Sequence, residues 1–254
     1  MSLYSTPCKT IPDELMASYT LEGKIPVLDW YLDKHYTKFL SWTEPFIGTY
    51  LKDNSISNIL NGKGHSPYGK NACKLLLNAF QEYDIKNKEV AVIGSTTPWL
   101  EAILLNLGNK VTTVEFNVPI ATFDNLSCID AGTFEKKPKI YDCIVSYSTI
   151  QHCGLGCFGE PLDPEGDLKI MENIHKNLSK NGVLIWSCPV GKDALVWNAQ
   201  RVYGEIRLPL LFEKYEEIEW LGCSKEECFH LPLAKYQKNM PVVVLEKKHL
   251  LFSI

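Results

Sequence analysis

The sequence predicts an α/β fold: a seven-stranded, mostly parallel sheet with helices on both faces and a helical amino-terminal cap. Two observations carry that expectation. From Glu89 onward, short runs rich in valine and isoleucine alternate with segments of helical periodicity, the pattern of a parallel sheet covered on both sides. At 254 residues, 45% of them hydrophobic, the chain can bury one sizeable core and is short for two independent ones.

The elements follow in order. Residues 1–87 carry aromatic and polar residues in helical patches broken by the turn-rich NGKGHSPYG, and are expected to form a helical cap packed on the core. Within them Ala72, Leu75, Leu76, Ala79 and Phe80 share one face of an amphipathic helix between Tyr68 and Tyr83. Residues 88–254 form the main domain. EVAVIG is its first strand, followed by a helix with Thr97 as N-cap, Pro98 in its first turn and Gly108 as its stop. KVTTVEF, LSCID, YDCIVSYS, GVLIWSCP, YEEIEWLG and PVVVLEKK supply six further strands. Before the fifth strand, Leu168, Met171, Ile174 and Leu178 mark the buried face of a helix ended by Gly182. The segment 192–214, with mixed turns and aromatics, reads as an insertion leaving the sheet as a substrate cap.

Composition narrows the function. No run approaches the roughly 20 apolar residues of a membrane span, and the first residues lack a charged start followed by an apolar block, so a cytoplasmic protein without membrane partners is expected. Nine cysteines form no C-x-x-C pair and suit a reducing compartment. The formal charge of -4, without a long basic run, argues against nucleic acid. Of 26 basic residues only Arg201 and Arg207 are arginine. Arginine suits two-pronged recognition of phosphate or carboxylate, so the pair is a candidate anion site.

In open α/β sheets the ligand sits beyond the carboxyl ends of the strands. Gly94, Ser95 and Thr96 follow the first strand and open a helix, where backbone N–H groups favour an anion. Glu115 ends the second strand, where a carboxylate can accept from ribose hydroxyls. Asp130 ends the third, and Ser146 and Ser148 the fourth.

The runs IDAGTF, YDCIVSYSTIQH and NLSKNGVLIW resemble the middle motifs of class I S-adenosylmethionine methyltransferases. More specifically, QHCGLGCFGEPLDPEGDL and PVGKDALVWNAQRVYGEIRLPLLF resemble the family DUF268, over roughly residues 88–225. The resemblance implies a Rossmann-like class I methyltransferase fold, with S-adenosylmethionine held by Gly94, Ser95, Thr96, Glu115, Asp130 and Ser146, and Asp130 facing the adenine amino group. The first loop, Gly94-Ser95-Thr96-Thr97-Pro98, departs from the three-glycine G-x-G-x-G usual in such enzymes, and lacks the G-x-G-x-x-G of dinucleotide enzymes.

His152 follows the fourth strand, where the methyl donor is expected to point, and imidazole is a suitable base for an acceptor hydroxyl; the alternative is that it only shapes the pocket. Cys153 and Cys157 beside it lack a fourth ligand and zinc spacing, so no metal is expected. Asp163, Glu165 and Asp167 could hold magnesium, but Pro164 and the following helix favour Asp163 as an N-cap. Trp197, Asn198, Arg201, Tyr203 and Arg207 form the expected acceptor site, with aromatic faces and planar donors. The function that results is O- or N-methylation of a small polar acceptor, anionic, phosphorylated, nucleotide-linked or sugar-like, as in surface polysaccharide biosynthesis; a homodimer is one possible assembly. A catalytically silent Rossmann-like binding or partner subunit is the alternative, and a hydride-transfer enzyme a third.

Overall fold

The computed structural model describes residues 6–34, 40–234 and 239–248. Strands β1 (Glu89–Ile93), β2 (Lys110–Glu115), β3 (Leu126–Asp130), β4 (Tyr141–Tyr147), β5 (Leu178–Ser187), β6 (Tyr215–Leu221) and β7 (Val242–Lys247) form one sheet in the order β6-β7-β5-β4-β1-β2-β3. β1 to β5 pair in parallel, and β7 runs antiparallel to both its neighbours. The order reverses between β1 and β4, which opens a crevice at their carboxyl ends.

Helices α1 (Asp13–Thr20), α2 (Glu44–Asp53), α3 (Ile56–Leu60) and α4 (Lys70–Glu82) precede the sheet. Helices α5 (Trp99–Asn106), α6 (Ala131–Lys136), α7 (Gly166–Asn177), α8 (Leu208–Leu211) and α9 (Lys225–Phe229) fall in the chain segments between its strands. The period of two along β1 divides the core. Val90 and Val92 pack with Leu76, Phe80 and Ile103 from α4 and α5 on one face. Ala91 and Ile93 pack with Met171 and Ile174 of α7 on the other.

The amino-terminal region is not purely helical. Val27–Asp29 pairs in parallel with Ala194–Trp197, and Ser41–Trp42 with Ile120–Ala121, so two short strands satisfy backbone groups that a cap of helices would leave unpaired. Thr97 is not the cap of α5. Pro98 holds that position, and Thr97 Oγ1 is buried without a hydrogen-bond partner among the described residues. Gly182 does not end α7, because Leu178 already has extended backbone and starts β5. A Cβ at Gly182 would instead come within 2.7 Å of the Asp142 carbonyl oxygen, so the glycine serves close strand packing. Asp163 closes a turn ahead of α7 rather than capping it: its Oδ1 accepts from the Glu165 N–H and its Oδ2 pairs with Lys169. With Asp167 committed elsewhere, the three acids do not converge as a metal site would need.

The expected cap at 192–214 is largely buried scaffold. Its strands Ala194–Trp197 and Gln200–Val202 pair with each other, and hydrogen bonds run from this segment to one pocket loop after another. The Asn198 amide bonds the backbone N–H and carbonyl of Leu32, and Trp197 Nε1 donates to the Cys8 carbonyl. The Ala199 carbonyl accepts from His152 Nδ1. Arg201 donates to the carbonyls of Cys153 and Pro164. Arg207 grips Asp167 with two donors, at 2.8 and 2.6 Å, and the Tyr203 hydroxyl donates to the same carboxylate at 3.1 Å. Trp197, Asn198, Arg201, Tyr203 and Arg207 are all at most 3% exposed, and none lines the large cavity at the strand ends. Arg207 does make a forked contact to a carboxylate, with Arg201 Nε 3.6 Å from the same group, but that carboxylate belongs to Asp167 of the same chain.

Burial alone would push the Asp167 carboxyl up, but Arg201 and Arg207 override it and hold its pKa below the usual range. Its contribution to stability is therefore present above the unfolded carboxylate range and lost as pH falls through the depressed folded value. Asp167→Asn should cost about 3–5 kcal/mol, because it leaves two buried guanidinium groups without a counter-charge. Asp163→Asn, which loses the solvent-exposed pair with Lys169 and keeps an oxygen for the Glu165 N–H, should cost less than about 1 kcal/mol through that pair. Denaturant melts of the two variants check this, and comparable losses would mean that the buried cluster is not the stronger constraint.

Candidate active site

The crevice at the carboxyl ends of β1, β2, β3 and β4 holds a cavity of about 650 Å³, within the range of small-molecule sites. A second, more open depression of about 690 Å³ lies near Gly222–Glu227, at the end of β6, the edge strand farthest from β3 in the sheet order. The first is the candidate site, because it lies at the point where the strand order reverses.

β1 delivers Gly94, Ser95 and Thr96 to the cavity wall. Gly94 has φ +77°, and a Cβ there would fall 2.2 Å from Thr149 Cγ2, so a side chain is excluded by conformation and by space. β2 delivers Glu115, whose Oε1 accepts from the Ser95 N–H at 2.7 Å and Oε2 from the Phe116 N–H at 2.9 Å. Each carboxylate oxygen keeps further acceptor capacity for a ligand hydroxyl. Burial lifts the Glu115 carboxyl to about 7 against the pull of these N–H bonds.

β3 places Asp130 outside the cavity. Its carboxylate is committed to Thr133, accepting from the backbone N–H at 2.9 Å and the hydroxyl at 2.6 Å as the cap of α6, and only the following Ala131 and Gly132 reach the wall. Ser146 is likewise displaced. It is fully buried within β4 between Ile93 and Trp186, its hydroxyl without a partner among the described residues, while Ser148, two positions on, lines the cavity. Strand alternation turns Ser146 away from the face of Tyr147, which lines the cavity, and Ser148 lies past the end of β4 with φ +56°.

His152 lines the cavity in a half-buried position. Its Nδ1 must donate to the Ala199 carbonyl, which leaves Nε2 to accept from the Gln151 amide at 3.1 Å. Burial, with the nearby Arg201 charge, lowers its pKa to about 4 despite the Ala199 bond. Both nitrogens are engaged, and the pKa is far below the near-neutral value that favours proton abstraction. The arrangement suits a wall residue better than the expected base.

Two parts of the site escaped sequence reasoning. Tyr68, Trp99 and Tyr147 form one aromatic wall, with ring centroids 4.9–5.9 Å apart. The turn SPYG before α4 was its only sequence signal. Glu101 is fully buried in α5 and accepts from Thr113 Oγ1 at 2.9 Å, with Ser95 Oγ at 3.0 Å. A single acid within the apolar run WLEAILL was the signal there. Since Ser95 also touches Glu115, Glu101 braces the loop after β1 from behind.

Desolvation raises the Glu101 carboxyl to about 7. The folded state then binds a proton more tightly than the unfolded one, so its contribution favours folding at low pH and is lost as pH rises from the unfolded carboxylate range to about 7. Glu101→Gln, which cannot ionise, should gain stability relative to the parent between pH 5 and pH 8, by up to about 3 kcal/mol. A difference that stays constant across that interval in thermal melts would contradict a protonated Glu101.

Solved structures with this fold include 1,6-didemethyltoxoflavin-N1-methyltransferase from Burkholderia thailandensis, with bound 1,6-didemethyltoxoflavin and S-adenosylhomocysteine (TM-score 0.52, 14% identity, 81% of this chain and 86% of that one). Another is the N-methyltransferase NodS from Bradyrhizobium japonicum in complex with S-adenosylhomocysteine (TM-score 0.50, 12% identity, 80% of this chain and 99% of that one). At such identities the likeness is one of fold, and the fold is the Rossmann-like one of class I methyltransferases. No curated protein matches the chain in sequence. Residues 87–251 match the family described as Caenorhabditis protein of unknown function, DUF268, and the chain belongs to that family.

Proposed function

We propose that the protein is an S-adenosylmethionine-dependent methyltransferase acting on a small molecule. The observation that carries this reading is Glu115 at the end of β2, bonded to the Ser95 N–H and facing the cavity beside Gly94. The wall fits the cofactor. Gly94 gives close backbone approach, Glu115 can accept from two vicinal hydroxyls, and Phe116 offers a ring, 50% exposed, beside Ala131 and Gly132 where a purine would lie. When bound, the cofactor supplies an electrophilic methyl group on a sulfonium.

The chain's own residues then orient and enclose. Glu160 accepts from the Gly156 and Phe158 N–H groups and holds the loop from β4 in a fixed arc over the cavity. The Tyr19 hydroxyl ties the same loop to α1 through the Gly154 carbonyl. Such enclosure excludes water and keeps the acceptor lone pair in line with the methyl group, which is where catalysis by orientation arises. The arginine pair offers no free guanidinium to the anionic or phosphorylated acceptor expected from it, since both groups are paired with Asp167. A role in polysaccharide synthesis loses its support with it.

Calorimetric titration with S-adenosylmethionine, S-adenosylhomocysteine and NAD tests the reading: the two sulfur nucleosides should bind and NAD should not. Glu115→Ala should weaken S-adenosylhomocysteine binding by about 1–3 kcal/mol, roughly 5- to 150-fold, in a variant whose melt shows it folded. Selective NAD binding, or full affinity in Glu115→Ala, would contradict it.

A further inference from the structure

We infer that the acceptor is a flat, uncharged nitrogen compound, a nitrogen heterocycle or aromatic amine, received against the wall of Tyr68, Trp99 and Tyr147. This rests on the methyltransferase reading and names the class of its acceptor.

The sheet order fixes which end of the cavity is left for the acceptor. Glu115 and Gly132 belong to β2 and the β3 end, whereas Tyr147 ends β4 on the far side of β1. A cofactor lying from the Gly94 loop across Glu115 to Gly132 leaves the β4 side vacant. There Tyr147 and Trp99 are nearly buried, but Tyr68 in front of them is 43% exposed, and Leu32, Leu40 and Pro67 continue the apolar surface. A ring presented inside a concavity is apolar area that a ligand ring can cover, by stacking or edge-to-face contact.

Charge excludes the anionic alternatives. Among the described lining residues the acids are Glu115, Glu135, Glu160 and Asp163, against Lys34 and Lys169. Lys169 lies 2.7 Å from Asp163, which offsets it. No arginine reaches the cavity. A phosphate or carboxylate would therefore enter a cavity with more acids than bases and without a forked donor, whereas a group that becomes positive on methylation meets the aromatic faces, with Glu160 and Asp163 of the segment after β4 as the acids on that side. In the transfer, the nitrogen lone pair forms the new bond to the methyl carbon, and the carbon–sulfur bond breaks with its electron pair staying on sulfur. The positive charge moves from sulfonium to nitrogen; an amine acceptor then releases its proton to water, and a ring nitrogen without hydrogen stays cationic.

The test measures binding at neutral pH by calorimetry to the full chain saturated with S-adenosylhomocysteine, using 3-aminoquinoline, which is uncharged there, with phenyl phosphate and glucose 6-phosphate as the other probes. The expected result is that 3-aminoquinoline alone binds, and that Tyr68→Ala, in a variant whose melt shows it folded, weakens it at least tenfold. A tighter phosphate probe, no 3-aminoquinoline binding, or undiminished binding in folded Tyr68→Ala would overturn the inference. Titration of S-adenosylhomocysteine in the same series separates the two readings: its binding with a failed amine probe overturns only the acceptor class, and its failure to bind overturns the methyltransferase reading and this inference together.

Discussion

The buried carboxylate of Asp167 is the constraint on which the site depends. It draws Arg207 and Arg201 inward, and through Arg201 it fixes the backbone at Cys153 and Pro164, the two ends of the loop that arches over the cavity. Two guanidinium groups and one carboxylate at most 3% exposed need partners for their buried donors, and here Arg201 Nη1 and Nη2 and Arg207 Nη2 also meet backbone carbonyls. Arginine suits this task because its charge survives burial and its donors are fixed in a plane. That accounts for both arginines of a chain otherwise rich in lysine.

The neighbouring residues extend the same bracing. Asn198, Ala199, Arg201 and Tyr203 tie Leu32, His152, Cys153 and Asp167 to one buried ribbon, from the amino-terminal side to the start of α7. Residues that resembled an acceptor site from their chemistry alone are thus the scaffold behind one. Asp193 completes the ribbon by accepting from the N–H groups of Gly204, Ile206 and Arg207.

The centre of the sheet was legible because its strands are buried on both faces, which makes them apolar runs bounded by glycine and polar turns, as in EVAVIG and KVTTVEF. Gly94, Ser95, Thr96 and Glu115 were legible for the related reason that strand ends must open onto the crevice. Asp130 and Ser146 failed on direction: a residue's place along a strand says where its backbone lies, while the local cap or the pleat decides where its side chain goes. The arginine pair failed on its partner, since Asp167 is 34 residues from Arg201 in sequence and nothing local shows them in contact. Tyr68 failed because it precedes the sheet by a whole helix and joins the site only through tertiary packing with Trp99 and Tyr147.

These features combine into a crevice whose floor is set by the sheet, whose cover is tied down by buried charge, and whose β2 side presents one carboxylate, the proposed partner of the cofactor ribose. The most direct measurement is a crystal structure with S-adenosylhomocysteine. The account predicts both ribose hydroxyls within hydrogen-bond distance of Glu115, the adenine beside Phe116 and Gly132, and the sulfur directed toward the β4 side. Ligand density elsewhere, or a ribose turned away from Glu115, would contradict it.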